Sequence, residues 1–104
     1  MYFVYEDCIN VVLEFLPPSM KENFGYREVV LILLLENQYL EKIGIAGNPP
    51  KEDAPFIVDY LEVEQFIIEK AKKLLYNITV EEVRKVLEGE EVYMRKISII
   101  SDLD

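Results

Sequence analysis

The stretch Arg27–Gly44, REVVLILLLENQYLEKIG, decides the fold. It contains seven consecutive apolar residues, Val29 to Leu35, and the run stops at Glu36. Such a run suits either a central strand or a buried helix, since neither needs a polar face. The helix is preferred for two reasons. Leu predominates over Val and Ile, and the apolar pattern continues at helical spacing through Tyr39, Leu40 and Ile43. At about 100° per residue, Val29, Ile32, Leu33, Tyr39, Leu40 and Ile43 form one long stripe. Val30, Leu31 and Leu34 fall on the far side, in the first half only. The expectation is a central helix whose extra patch is covered by the C-terminal tail or by a second copy of the chain. Burying a Leu or Ile contributes about 1.5–3 kcal/mol, so Val30, Leu31 and Leu34 are the candidate interface residues.

Other helices are expected around this one. Residues 2–16 place Tyr5, Cys8, Ile9, Val12, Leu13 and Leu16 on one face, and Pro17 and Pro18 end the element. Ser19–Glu22, SMKE, has the capping-box pattern and predicts a helix from Met20 to Ile43, with Gly25 as an early break and Gly44 as the stop. GIAGNPPKED, residues 44–53, is a loop. A third helix is predicted from an Asp53 or Ala54 cap, with Pro55 in its first turn, to Asn77. Its apolar stripe comprises Phe56, Ile57, Tyr60, Val63, Ile67, Ala71, Leu74 and Leu75. Thr79–Glu82, TVEE, is a second capping box, with Ile78 and Val83 placed for a hydrophobic staple. That helix is expected to stop at Gly89, and the tail to form one more. The fold class is therefore all-α, a bundle of four to five helices in a single domain, residues 1–104. The competing arrangement is α+β, with YFVY at residues 2–5 paired to the tail as two short strands.

Composition narrows the function. The chain has 104 residues, 11 basic and 20 acidic, for a net charge of −9. A nucleic-acid binder needs concentrated Lys and Arg, and an anionic membrane surface attracts the same residues; neither partner is expected. Cys8 is the one cysteine, so an intrachain disulfide and a multi-cysteine zinc site are excluded. With no histidine in the chain, a buried inert thiol is the expected state of Cys8. No basic-then-apolar leader is visible, and the Val29–Leu35 run is far shorter than the ~20 residues that span a bilayer. A cytoplasmic protein is expected. Rich Glu, Lys and Ile with only two Gln match the composition of thermophile proteins.

Two carboxylates break the apolar pattern. Glu36 interrupts the stripe of the second helix, and Glu64 sits in the third between Ile57, Tyr60, Leu61, Ile67, Ile68 and Ala71. A carboxylate in an apolar face is costly unless paired, protonated or bound to a cation. Glu36 and Glu64 are thus the candidate ligands for a hard divalent metal, Mg²⁺ or Mn²⁺. The plainer explanation, a hydrogen bond to Tyr39 or Tyr60 or a pair with Arg27, Arg84 or Arg95, ranks ahead of it. Glycine-rich phosphate loops, nucleophile elbows and catalytic triads are absent from the sequence. The one Glu-x-x-Glu pair, Glu88 and Glu91, has no second pair and does not match the helical nucleotide pyrophosphatases. Three functions fit these features. The first is a non-enzymatic helical domain that self-associates, as a dimer, or binds a protein partner. The second is a carboxylate-based metal-dependent hydrolase. The third is an acidic decoy or antidote for a basic protein.

Overall fold

The computed structural model describes residues 4–44 and 58–103, with side chains described as far as Ser98. The fold is all-α, of the small helical-bundle class. Its helices are α1 (Tyr5–Phe15), α2 (Pro18–Lys21), α3 (Tyr26–Lys42), α4 (Tyr60–Lys73) and α5 (Val80–Leu103). Among the described residues there is no strand, so the α+β arrangement is not adopted. The tail continues α5 as helix.

Two compact units divide the chain. One joins Met1–Val30 to Arg84–Asp104, and the other is Leu31–Val83. The boundary passes through α3 and α5, so each of these helices contributes to both. In the first unit Cys8, Ile9, Val12, Leu16, Phe24, Val29, Val86 and Tyr93 are buried. In the second, the core is Ile32, Leu33, Leu35, Tyr39, Val63, Ile67, Ala71, Ile78 and Val83. Cys8 is fully buried, as expected of an inert thiol.

Helix boundaries follow local chemistry, and several differ from expectation. In α1, Leu16 ends the helix in extended geometry (φ −62°, ψ 139°), the conformation that a following proline imposes. The backbone N–H of Val4, the N-cap of α1, donates to the Tyr93 hydroxyl at 2.9 Å, tying the start of α1 to α5. The SMKE capping box does not form. Pro17 is the N-cap of α2 and Pro18 its first residue, because a proline at that position sacrifices no helical hydrogen bond. The expected Met20–Ile43 helix is therefore two helices, parted before Gly25. The Gly25 carbonyl accepts the first bond of α3 from Val29 N–H, and the Glu28 carboxylate reaches back to accept from Gly25 N–H at 3.0 Å. At the other end Gly44 takes φ 89°, the left-handed cap predicted for it.

The expected start of the third helix at Asp53 or Ala54, with Pro55, lies outside the described residues. α4 itself begins later, at Tyr60. Asp59 is its N-cap, extended in backbone, and its side chain accepts from Leu61 N–H at 3.0 Å. The helix also ends four residues before Asn77, at Lys73. Gly89 does not stop α5, which passes straight through it. A Cβ there would lie 3.1 Å from the Val12 Cα and 3.3 Å from Phe15 Cδ1. The glycine serves close approach of α1 rather than termination. The TVEE box does form in full: Thr79 N–H donates to Glu82 Oε1 at 2.8 Å, and Glu82 N–H donates to Thr79 Oγ1 at 3.2 Å. Ile78 and Val83, the expected staple, are both buried.

Candidate interaction surface

The second unit holds most of the residues singled out by sequence. In α3, Ile32, Leu33, Leu35 and Tyr39 turn inward, while Leu31 and Val30 (the latter in the first unit) are half-buried. Leu34 is 52% exposed. At that exposure Leu34 is not covered, so α3 is not buried on every side. Leu35, which sits between the two wheel faces, is buried at 3% exposure.

α4 is held to α3 by a polar and aromatic clasp. The Tyr39 hydroxyl donates to Glu62 Oε2 at 2.8 Å, and the Tyr39 and Phe66 ring centroids are 5.4 Å apart at a tilt of 59°. Lys42 and Lys70 place their ammonium groups 5.7 and 5.6 Å from the centre of the Phe66 ring, within cation–π range. The hydrogen bond to Glu62 raises the Tyr39 pKa, with burial and the Glu62 charge adding to it. In the first unit, the Tyr26 hydroxyl bonded to Glu6 at 2.8 Å has its pKa raised for the same reason.

The opposite face of α4 is open. Val63, Glu64, Ile67 and Ala71 turn inward, Gln65, Glu69, Lys72 and Lys73 turn outward, and Glu62 is exposed at the edge where it accepts from Tyr39. Beyond both ends of the buried stretch of α4 stand exposed apolar side chains. At the N-terminal end Tyr60 and Leu61 are each 60% exposed; just past the C-terminal end Leu74 is 55% and Leu75 95% exposed. The stripe predicted for this helix therefore holds only from Val63 to Ala71.

Leu75 is the most unusual residue of the surface. Its φ is 67°, in the left-handed region that β-carbon sterics disfavour. The conformation closes a double cap. Leu75 N–H donates to the Lys72 carbonyl at 3.0 Å, and Tyr76 N–H to the Ala71 carbonyl at 2.9 Å. This is the Schellman arrangement, in which glycine usually occupies the left-handed position. Here a leucine occupies it, almost wholly in solvent.

Glu36 and Glu64 both belong to the second unit. Glu36 is half-buried on α3, and Glu64, on α4, is 7% exposed. Each already has an interaction within the chain. Among the described residues, no group of three or more His, Cys, Asp or Glu side chains is placed to hold a metal ion. No described helix is long and apolar enough to cross a membrane. Comparisons of the chain with protein-family models, with curated proteins and with solved structures gave no match.

Proposed function

We propose that this chain is a non-enzymatic helical domain that works by associating with protein surfaces, its own included. The observation that carries this reading is the set of leucines the second unit leaves in water: Leu34, Leu61, Leu74 and Leu75, each more than half exposed. Scattered single apolar side chains are ordinary on a protein surface. Two adjacent exposed leucines at a helix end, one of them held at φ 67°, are not, since disfavoured backbone conformations cluster at functional sites. A partner that buries these side chains recovers the hydrophobic contribution that folding alone leaves unused.

Sedimentation equilibrium of the pure protein over a wide concentration range tests this reading. A mass that rises towards that of a dimer, and that falls back when Leu34 and Leu75 are replaced by serine, is the expected result. A monomer at every concentration, with no protein recovered alongside it from cells, overturns it.

A further inference from the structure

The C-terminal tip of α4 joins base and bare leucine. Lys72 and Lys73 are exposed in its last turn, and Leu74 and Leu75 follow at 55% and 95% exposure. The helix dipole favours bases at this end. It does not account for their number, since α1 and α5 have none in their last turns, α3 has one and α4 has three. Nor does it account for the leucines beside them. Lys70, the third base, stands over the Phe66 ring and is already engaged. Lys72 and Lys73 form no ion pair among the described residues, although the chain holds 20 acids against 11 bases. The tip is also fixed in shape. The bonds from Leu75 N–H to the Lys72 carbonyl and from Tyr76 N–H to the Ala71 carbonyl hold the two leucines just beyond the two lysines.

We propose that this tip binds an acidic segment of a protein partner, one that carries aliphatic side chains among its carboxylates. This rests on the reading of the protein as an association domain and names the chemistry of its partner. Charge complementarity carries it. Two unpaired ammonium groups beside two bare leucines match a segment that offers carboxylates and apolar side chains together. The leucines are buried against the aliphatic groups, and Asp or Glu meets Lys72 and Lys73 around them. An apolar centre with a polar rim is the common layout of protein interfaces. Because the double cap sets the leucines in place before a partner arrives, binding has little left to order on this side.

The surroundings of the tip select a narrow partner over a broad anionic one. Exposed Glu69 and Glu81 flank it in sequence, within the same unit. A membrane surface rich in anionic lipid draws on larger basic clusters than two free lysines. A short segment of chain needs to touch the lysines and leucines alone. Ions screen charges beyond about 8 Å at physiological salt. Such a segment therefore responds to the tip rather than to the net −9 of the whole chain. Four side chains make a small contact, so the complex belongs with weak, reversible ones.

Selection of a displayed random-peptide library on the full chain tests the proposal, with depletion on the double variant Lys72→Glu, Lys73→Glu. The recovered peptides are expected to combine Asp or Glu with Leu, Ile or Val. One of them, synthesised with a fluorescent label, is then titrated with each protein. Binding is expected to be at least about tenfold weaker for the double variant, since two contacts turn from attraction to repulsion. Leu75→Gly leaves the charges alone and is expected to weaken binding several-fold while the chain stays folded. Circular dichroism is recorded for each variant, and Lys72→Gln with Lys73→Gln supplies a neutral pair that leaves no acid at the helix end. Recovery of no peptide, of peptides without acids, or of peptides that bind wild type and variants equally overturns the proposal. So does Leu75-dependent binding to phosphatidylserine vesicles in place of any peptide, which would make the partner a lipid surface. If the peptide selection fails while sedimentation shows self-association that depends on Leu34 and Leu75, the acidic partner is wrong and the wider reading stands.

Discussion

Leu75 illustrates how a single residue can carry more information than its element. Its left-handed backbone costs a non-glycine residue roughly 1–2 kcal/mol, while glycine itself loses more chain entropy on folding. Leu75→Gly is therefore expected to stabilise the monomer by about 0.5–1 kcal/mol, read from urea unfolding midpoints. Lower stability in that variant would mean the leucine packs in the monomer, against its 95% exposure. Nothing in KKLLYN foretold this geometry, because the residue that usually takes the left-handed cap, a glycine, is missing. Gly89 is the converse case. Its sequence signal read as a stop, whereas its role is clearance for Val12 and Phe15. An exposed helical glycine replaced by alanine gains about 1 kcal/mol. At Gly89 the 3.1 Å approach to the Val12 backbone is expected to cancel that gain, and Gly89→Leu to cost about 2 kcal/mol. Thermal or urea unfolding of both variants decides this, and a full gain for Gly89→Ala would refute the close packing of α1 on α5.

Among the elements, the two capping boxes separate what sequence can specify from what it cannot. TVEE formed in full because nothing nearby competes: Thr79 follows an irregular segment and precedes an uninterrupted helical pattern. SMKE failed because Pro17 and Pro18 start their own turn two residues earlier, and Gly25 then caps α3 with help from Glu28. Thr79→Ala is expected to lower stability by about 1 kcal/mol, measured by chemical unfolding. The same change at Ser19, with no cap to lose, is expected to leave stability nearly unchanged. Periodicity identified α1, α3, α4 and α5 as helical, with most inward residues of α1, α3 and the middle of α4, but not the separate turn α2. It overran the ends of α4, where Tyr60, Leu74 and Leu75 match the apolar pattern and yet stand in water. Hydrophobicity locates a face only if a neighbouring element reaches it, and that reach is a property of the folded chain. The outward leucines at the ends of α4 were therefore illegible as a surface. Glu64 was legible as a buried acid, and Leu34 as part of a surplus apolar patch.

At the scale of the whole molecule, each of the two packing centres of this acidic chain holds its helices together partly through part-buried polar contacts. The Tyr39–Glu62 bond is one whose loss can be followed with pH. The native phenol has a pKa raised above the ordinary value near 10, so the folded state holds its proton more tightly than the unfolded chain. Its contribution is complete below the unfolded value and is lost as pH rises through the native one. Thermal melts from about pH 8 to about pH 11 should thus fall less steeply for Tyr39→Phe than for wild type. An unchanged slope would show that the bond does not couple to stability. Net charge and the lack of histidine were read from composition alone, and they narrowed function by exclusion. The surface that carries the proposed function needed the fold, since it depends on which leucines remain uncovered.

The most direct test of the central claim is a dilution series of backbone amide spectra with residue assignments. The amide shifts of α4 and of Leu74–Tyr76 are expected to move together as concentration rises, with those of α1 and of α5 beyond Arg84 staying fixed. Shifts independent of concentration throughout, or changes confined to α1 and α5, would contradict it.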